Sequence, residues 1–315
     1  MKQKISIIIP FYNEEGNIIN LVEEIRKAVK KDFKNLDYEI IMVDDGSRDN
    51  TWQEIKECKE KDPNVIWLKL NKNYWQSVAM DAGFRQAEGE IVVSLDWDWQ
   101  NDPADIKKLY DKLIADNLDL VAWRRQKRKD PWSIVFITKT AKLLRRMLIK
   151  DGVNDSWCTL RVYKKEVVEN LYLWWEMHRY IVAISKINWF KIGELPVNHR
   201  ARWHGVSKYN WTKSMKWLID LIYIWFIGKY ESRPLHLFWF LGILNLFLGF
   251  LMFLYAVFQK LFFSYDFSNN WYTLLGIFMI QIWLMLFVFG IMLDLMIRSY
   301  YNTSSNKRYL VKEKY

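Results

Sequence analysis

Two stretches near the end of this 315-residue chain constrain its folding more than anything else in it. Residues 234–258 read PLHLFWFLGILNLFLGFLMFLYAVF and residues 271–293 read WYTLLGIFMIQIWLMLFVFGIML, with no Asp, Glu, Lys or Arg in either. Each exceeds the roughly 20 apolar residues that carry a helix across about 30 Å of hydrocarbon. Core helices of soluble proteins rarely run so long without a charge, so the reading is two membrane helices joined by a short loop. Arg200, Arg202, Lys208, Lys213, Lys216, Lys229 and Arg233 precede the pair, and Arg298, Lys307, Arg308, Lys312 and Lys314 follow it. The loop at 259–270 carries only Lys260 and Asp266. The excess of positive charge on the flanks predicts that both ends are cytoplasmic, in a multi-pass protein of the cytoplasmic membrane. At the N-terminus, ISIII is too short for the apolar region of a signal peptide, and acidic residues follow it.

Ahead of the spans, Met215, Leu218, Ile219, Ile222 and Phe226 recur at helical spacing beside Lys213, Lys216 and Lys229. That pattern fits a helix lying in the membrane interface, and equally a helix packed on a soluble core. The expected organisation is a domain at 1–210, an amphipathic helix at 211–232, the spans within 233–298 and a cytoplasmic tail at 299–315. Within the domain, apolar runs at 5–10, 38–44, 65–70, 90–96 and 118–122 alternate with amphipathic stretches at 16–31, 49–61, 75–88 and 103–116. Continuous apolar strands separated by helices predict an α/β fold with a mostly parallel sheet covered on both faces.

In such sheets ligands bind outside the carboxyl ends of the strands, and acidic residues gather there. Strand one runs into Pro10-Phe11-Tyr12-Asn13-Glu14-Glu15, strand two into Asp44-Asp45-Gly46-Ser47, and strand four into Asp96-Trp97-Asp98-Trp99-Gln100. One acidic strand end is ordinarily a helix cap; three on one edge point to a site. Two carboxylates one residue apart can face one hard cation, and Mg²⁺ is typically held by one or two carboxylates plus substrate phosphates. The formal charge of +10 favours phosphates or lipid headgroups as partners. No P-loop, no glycine-rich dinucleotide fingerprint, no H-E-x-x-H and no C-x-x-C occurs. Cys58 and Cys158 make no disulfide framework or zinc spacing, which fits a reducing compartment.

The motifs IIIPFYNEEGNI, IIMVDDGSRDNT, LNKNYxQSVAMDAGF, SLDxDxQNDPADI, DSxCTLRVYKKE, EMHRYI, VNHRARxxGVSKYN and KYESRPLH stand in this order along the chain. In sequence and spacing they resemble the polyprenyl-phosphate glycosyltransferases of glycosyltransferase family 2, related to dolichol-phosphate mannosyltransferase. The resemblance covers essentially the whole chain. It implies a GT-A fold and an inverting hexosyltransferase that moves one sugar from a UDP- or GDP-linked donor to a membrane polyprenyl phosphate such as undecaprenyl phosphate, for cell-envelope modification.

By the same resemblance Pro10, Tyr12, Asn13, Glu15, Asp44, Asp45, Gln76, Asp96 and Gln100 bind the nucleotide-sugar. Asp96, Asp98 and Gln100 hold Mg²⁺ or Mn²⁺. Arg125, Thr138, Arg202 and Lys208 match or lie near positions associated with the donor or lipid phosphate. Asp155 matches a proposed catalytic base, and Asp98 is counted with it as catalytic as well as metal-binding. A phosphomonoester acceptor has its second pKa near 6, so it needs a base less than a sugar hydroxyl does; Asp155 as an orienting group stays open. Val135 and Phe136 depart from the pattern, standing where a second basic residue for the acceptor phosphate is expected. His178, His199 and Cys158 read as structural. The partners implied are donor, lipid phosphate and membrane, with a homo-oligomer possible and no nucleic acid. The alternative is a catalytically impaired, membrane-anchored nucleotide-sugar binder. A processive polysaccharide synthase is disfavoured because no Q-x-x-R-W motif precedes the spans.

Tryptophan is out of proportion, at 18 against 12 glycines. Trp75, Trp97, Trp99 and Trp157 stand where the family pattern has glycine, and Trp67, Trp123, one of Trp174 and Trp175, Trp189, Trp217, Trp239 and Trp283 follow the same trend. Eleven exchanges would take glycine from 12 to 23, close to the roughly 22 that average usage gives. Two explanations remain open at this level: a UGA codon read as glycine in the host, or genuine tryptophans in a diverged chain. If 75, 97, 99 and 157 belong to the donor pocket, at least two should lie against Asp45, Asp96, Asp98 or Asp155.

Overall fold

The computed structural model describes residues 3–34, 36–96, 102–125, 145, 147, 159–173, 176–197, 211–230 and 233–303. Contacts divide the chain into two units, Met1–Ile224 and Trp225–Tyr315.

The first unit is an α/β sandwich. Its elements are β1 (Lys4–Phe11), α1 (Ile18–Asp32), β2 (Asp37–Asp44), α2 (Thr51–Lys61), β3 (Val65–Lys69), α3 (Gln76–Gln86), β4 (Ile91–Ser94), α4 (Asp105–Ala115) and β5 (Leu120–Arg125). They continue through β6 (Arg161–Lys164), α5 (Lys165–Glu169), a 3-10 turn at Met177–Tyr180, α6 (Ile181–Ile187) and β7 (Ile192–Val197). The strand order is β3-β2-β1-β4-β6-β5-β7. Only β6 runs antiparallel to its neighbours.

The sequence dictates two covered faces. Seven of the eight residues of KISIIIPF are buried, and alternate side chains of a strand point to opposite sides. Ile5, Ile7 and Ile9 pack with Leu21 and Ile25 of α1. Ile8 packs instead with Ala79, Met80 and Phe84 of α3. Since β2 and β4 flank β1 on opposite sides, the strand order reverses there, and a crevice is expected at the carboxyl end of that junction. The five expected strands are present, with ends shifted by up to three residues. β6 and β7 were missed, because four and six residues of mixed polarity carry little periodic signal.

Helix α7 (Trp211–Tyr230) crosses the boundary between the units. Within the first unit, Leu221 and Ile224 bury against Tyr180 and Ala183. Ile219, Ile222 and Tyr223 stay exposed. One face therefore packs on the core, while part of the expected interfacial stripe is left outside.

The second unit is a hairpin of α8 (Pro234–Phe263) and α9 (Trp271–Thr303). Both helices are long and apolar enough to cross a bilayer, and only 11% of each apolar window is buried. Gly249 meets the Gly276 backbone, and Gly290 meets Leu235 and Phe238. Small residues let helices approach closely where no hydrophobic force drives them together in lipid.

Candidate active site

The loops leaving β1 and β2 are joined to each other by hydrogen bonds. Asn13 donates its backbone N–H to Ser47 Oγ (3.0 Å), and Arg48 N–H returns to Asn13 Oδ1 (2.9 Å). Glu14 N–H donates to Thr51 Oγ1 (2.7 Å), and Asn50 N–H donates to Glu15 Oε2 (2.9 Å). Asp45 N–H closes the base of the pair on the Phe11 carbonyl (2.9 Å). Asn13 adopts φ 54°, a left-handed conformation asparagine tolerates better than most residues. Gly46, at φ 73°, has no room for a side chain: a Cβ would stand 2.4 Å from the Lys72 carbonyl carbon.

Beneath these loops lie two buried carboxylates. Asp44 is fully buried; Oδ1 accepts the Ser47 N–H (2.9 Å), and Oδ2 has no hydrogen-bond partner among the described residues. Asp45 accepts the Tyr74 N–H (2.7 Å). Burial pushes its carboxyl above the ordinary range, and Asp44 adds to the push, against the backbone N–H groups of Tyr74 and Trp75. The same loops, with the segment after β3, line a cavity of about 500 Å³ formed by Tyr12, Gly46, Ser47, Arg48, Lys69, Leu70, Asn71, Lys72 and Asn73. A volume of 300–1,000 Å³ is typical of small-ligand sites. Its basic and amide residues from 48 and 69–73 were missed by sequence reasoning, which weighed carboxylates; they follow β2 and β3, the same edge that located the acids.

Asp96 follows β4, on the other side of β1. Its Oδ1 accepts the Gln76 side-chain amide at 2.6 Å, so two expected donor-binding residues touch. Behind Gln76, Ser77 Oγ accepts the His178 N–H (3.0 Å) and pairs with His178 Nδ1 (2.8 Å). Arg161, wholly buried, donates to the His178 carbonyl (3.2 Å). Burial, then the charges of Arg179 and Arg161, pull His178 down to about 3. The ring is neutral; it can accept the Ser77 proton at Nδ1 and keep its own on Nε2. The structural reading of His178 fits this arrangement.

Asp98, Gln100, Thr138, Asp155, Arg202 and Lys208 lie outside the described residues, as do Val135, Phe136, Trp97, Trp99, Trp157, Cys158 and His199. Arg125 ends β5. Pro10 pairs with Val43 inside the sheet. Among the described residues no group of three metal-ligating side chains comes together. Of the four tryptophans expected at the pocket only Trp75 is described; its backbone N–H interacts with Asp45, while its side chain is 67% exposed.

A ligand-sized cavity at the carboxyl edge of a largely parallel sheet, lined by Arg48, Lys69 and Lys72, is where enzymes of this architecture bind their ligands. Residues 6–216 match the model of glycosyl transferase family 2. The chain belongs to that family and is a glycosyltransferase. It is 31% identical over 317 residues to dodecaprenyl-phosphate galacturonate synthase of Rhizobium johnstonii, covering 98% of this chain and 92% of that one. It is 30% identical over 315 residues to undecaprenyl-phosphate 4-deoxy-4-formamido-L-arabinose transferase of Proteus mirabilis, covering 98% and 93%.

Among solved structures, glucosyl-3-phosphoglycerate synthase of Mycobacterium tuberculosis, complexed with Mn²⁺, UDP and glucosyl-3-phosphoglycerate, superposes with a TM-score of 0.55 at 17% identity, covering 72% of this chain and 80% of that one. A mannosyltransferase of Pyrobaculum calidifontis with GDP-mannose and Mn²⁺ gives 0.50 at 18%, covering 72% and 64%. These two carry the fold alone, the GT-A sheet that the sequence implied. The relatives' names widen the expected hexosyl group, since arabinose is a pentose.

Proposed function

We propose that this chain transfers one sugar from a nucleoside-diphosphate sugar to a polyprenyl phosphate held in the cytoplasmic membrane. The observation that carries the reading is the full-length likeness, hairpin included, to two relatives named for polyprenyl-phosphate substrates. A soluble acceptor would not need two apolar helices on the same chain. The basic flanks of the two apolar helices support a cytoplasmic catalytic domain.

On this reading the donor's base and ribose enter the cavity lined by Tyr12, Gly46 and Ser47, with Pro10, Asn13, Glu15, Asp44 and Asp45 on the same loops and strand ends completing the donor site. Asp44 Oδ2, buried without a hydrogen-bond partner among the described residues, is an acceptor suited to a ribose hydroxyl or a base N–H. Arg48, Lys69 and Lys72 supply positive charge at the rim. Gln76 orients Asp96 toward the diphosphate. Asp96, Asp98 and Gln100 would hold Mg²⁺ or Mn²⁺. The partly buried Asp96, fixed on one oxygen by Gln76, fits a shared carboxylate set of this kind. When bound, the ion would neutralise charge on the leaving nucleoside diphosphate. Arg125, Thr138, Arg202 and Lys208 would hold the acceptor phosphate. That phosphate is mostly dianionic at pH 7 and attacks without a strong base, so Asp155 serves to orient it or to take its residual proton.

The test is a donor screen with the purified full chain in undecaprenyl-phosphate liposomes, with Mg²⁺ or Mn²⁺. Sugar in the lipid fraction supports the proposal. Donor binding without transfer from any of a panel of UDP- and GDP-sugars would leave the impaired-binder reading instead.

A further inference from the structure

Five non-glycine residues among those described have positive φ: Asn13, Trp75, Asn117, Trp189 and Ser264. Two asparagines and a serine are small polar residues, and asparagine is the type most tolerated there. The other two are tryptophans, the bulkiest side chain of all.

Trp75 is the N-cap of α3, with φ 76° and ψ 154°. That region is essentially restricted to glycine. The backbone is held from both sides: its N–H donates to Asn73 Oδ1 (3.1 Å), and its carbonyl accepts from Val78 and Ala79 (3.0 and 3.2 Å). With the indole 67% exposed, little burial offsets the conformational cost.

Trp189 follows the C-cap Asn188 of α6, at φ 65°. Its N–H bonds to the Lys186 carbonyl (3.0 Å), and the Phe190 N–H bonds to that of Ser185 (3.1 Å). This pair of bonds defines a Schellman motif, and residue 189 holds its left-handed position, which is usually glycine. The side chain is 93% exposed and packs on almost nothing.

Trp283 argues from packing instead of backbone. On α9, residues 276, 283 and 290 are seven apart and so share a face. Gly276 meets Gly249 and Gly290 meets Leu235; between them Trp283 faces Gly242, where a Cβ would stand 2.7 Å from the indole Cδ1. Its Nε1 is buried with no hydrogen-bond partner among the described residues. An indole N–H belongs where it can reach a partner, and an apolar seam offers none.

We propose that positions 75, 189 and 283 are glycine in the protein its own host makes, encoded by UGA and read there as glycine. Three separate physical demands, a glycine-only backbone region, a helix C-terminal turn and a close helix seam, fall on residues that the excess of tryptophan had already marked. Residue 75 also stands between Tyr74, bonded to Asp45, and Gln76, bonded to Asp96. The tryptophan version therefore adds an indole beside the proposed donor site, and expression that reads UGA as tryptophan yields a strained form of the enzyme.

Sequencing the gene, with peptide mass measurement on the protein isolated from its host, tests this. The expected result is UGA at 75, 189 and 283, UGG at Trp52, whose ring lies under Lys69 at 4.8 Å, and peptides lighter by the side chain at the three positions. UGG at those three codons would overturn the proposal, as would UGA at Trp52 as well, since UGA would then mean tryptophan. In the full chain in detergent, Trp189→Gly should raise the thermal midpoint by roughly 2–6 °C, and Trp189→Ala should not, because alanine keeps the Cβ. An alanine variant equal to the glycine one would refute the backbone argument.

Discussion

The neutral, buried His178 makes a quantitative prediction about acid stability. Its folded value is about 3, against 6.5 for the free side chain. Between those values the unfolded chain binds a proton that the native chain refuses, so native stability falls as pH drops from about 6.5 to about 3 and levels off below. Working the linkage for these two values, the loss between pH 7 and pH 5 is about 2 kcal/mol. His178→Asn removes the titration yet leaves an oxygen near the Nδ1 position to accept from Ser77. Urea unfolding of both proteins in detergent, followed by circular dichroism at pH 7 and pH 5, isolates the histidine, because every other group titrates in both. The wild type should lose about 2 kcal/mol more than the variant over this interval. Equal losses would mean that His178 is protonated in the fold and that its burial beside Arg179 and Arg161 does not hold it neutral.

Asp96→Ala and Asp98→Ala should each lower turnover by about 10²-fold or more without unfolding the chain; unchanged metal-dependent kcat in either would remove that residue from the metal assignment. Gly46→Ala should cost about 1–3 kcal/mol from its positive φ, with a further loss from the contact with Lys72, and should weaken donor binding measured by calorimetry. Full donor affinity would mean that the 45–51 loop is not part of the site. Deleting residues 234–315 should leave donor affinity largely intact and abolish efficient transfer to membrane-embedded lipid; full liposome activity would contradict the anchoring role. Replacing Trp75, Trp97, Trp99 and Trp157 with glycine together should tighten donor binding, and an unchanged or weaker Kd would argue against glycine at the pocket.

Much of the architecture was legible because burial writes a strong pattern. Seven buried residues in β1 leave no amphipathic alternation, so a doubly covered strand was the one reading available. The hairpin was legible for the same reason, from two runs without charge. β6 escaped because it is four residues long and its fully buried Arg161 reads as a surface residue; one of its bonds goes to the His178 carbonyl, 17 positions away. Within the site, the acids at strand ends were found by position alone. Arg48, Lys69 and Lys72 were not, since isolated basic residues in loops carry no periodicity and gain meaning only when β2 and β3 are neighbours. The Ser77–His178 pair spans 101 residues, and only the tertiary fold brings it together.

The arrangement also explains how one edge can bind an anion while holding several carboxylates. Asp44 and Asp45 are buried and committed to backbone N–H groups of Ser47 and Tyr74, so much of their charge is answered locally. Arg48, Lys69 and Lys72 line the cavity itself, and Lys69 and Lys72 also lie over the rings of Trp52 and Tyr74 at 4.8 and 4.9 Å. On the proposed reading, the buried acids would meet the hydroxyls and N–H groups of a nucleoside, and the basic residues would meet its phosphates. The same division sets what a perturbation does. Neutralising Asp44 to Asn would trade an acceptor for a donor against the nucleoside and weaken discrimination among bases, whereas Lys72→Ala would weaken all nucleoside diphosphates alike and reduce the salt dependence of binding. A uniform loss for Asp44→Asn, with base selectivity intact, would show that the buried carboxylate shapes the loop instead of reading the ligand.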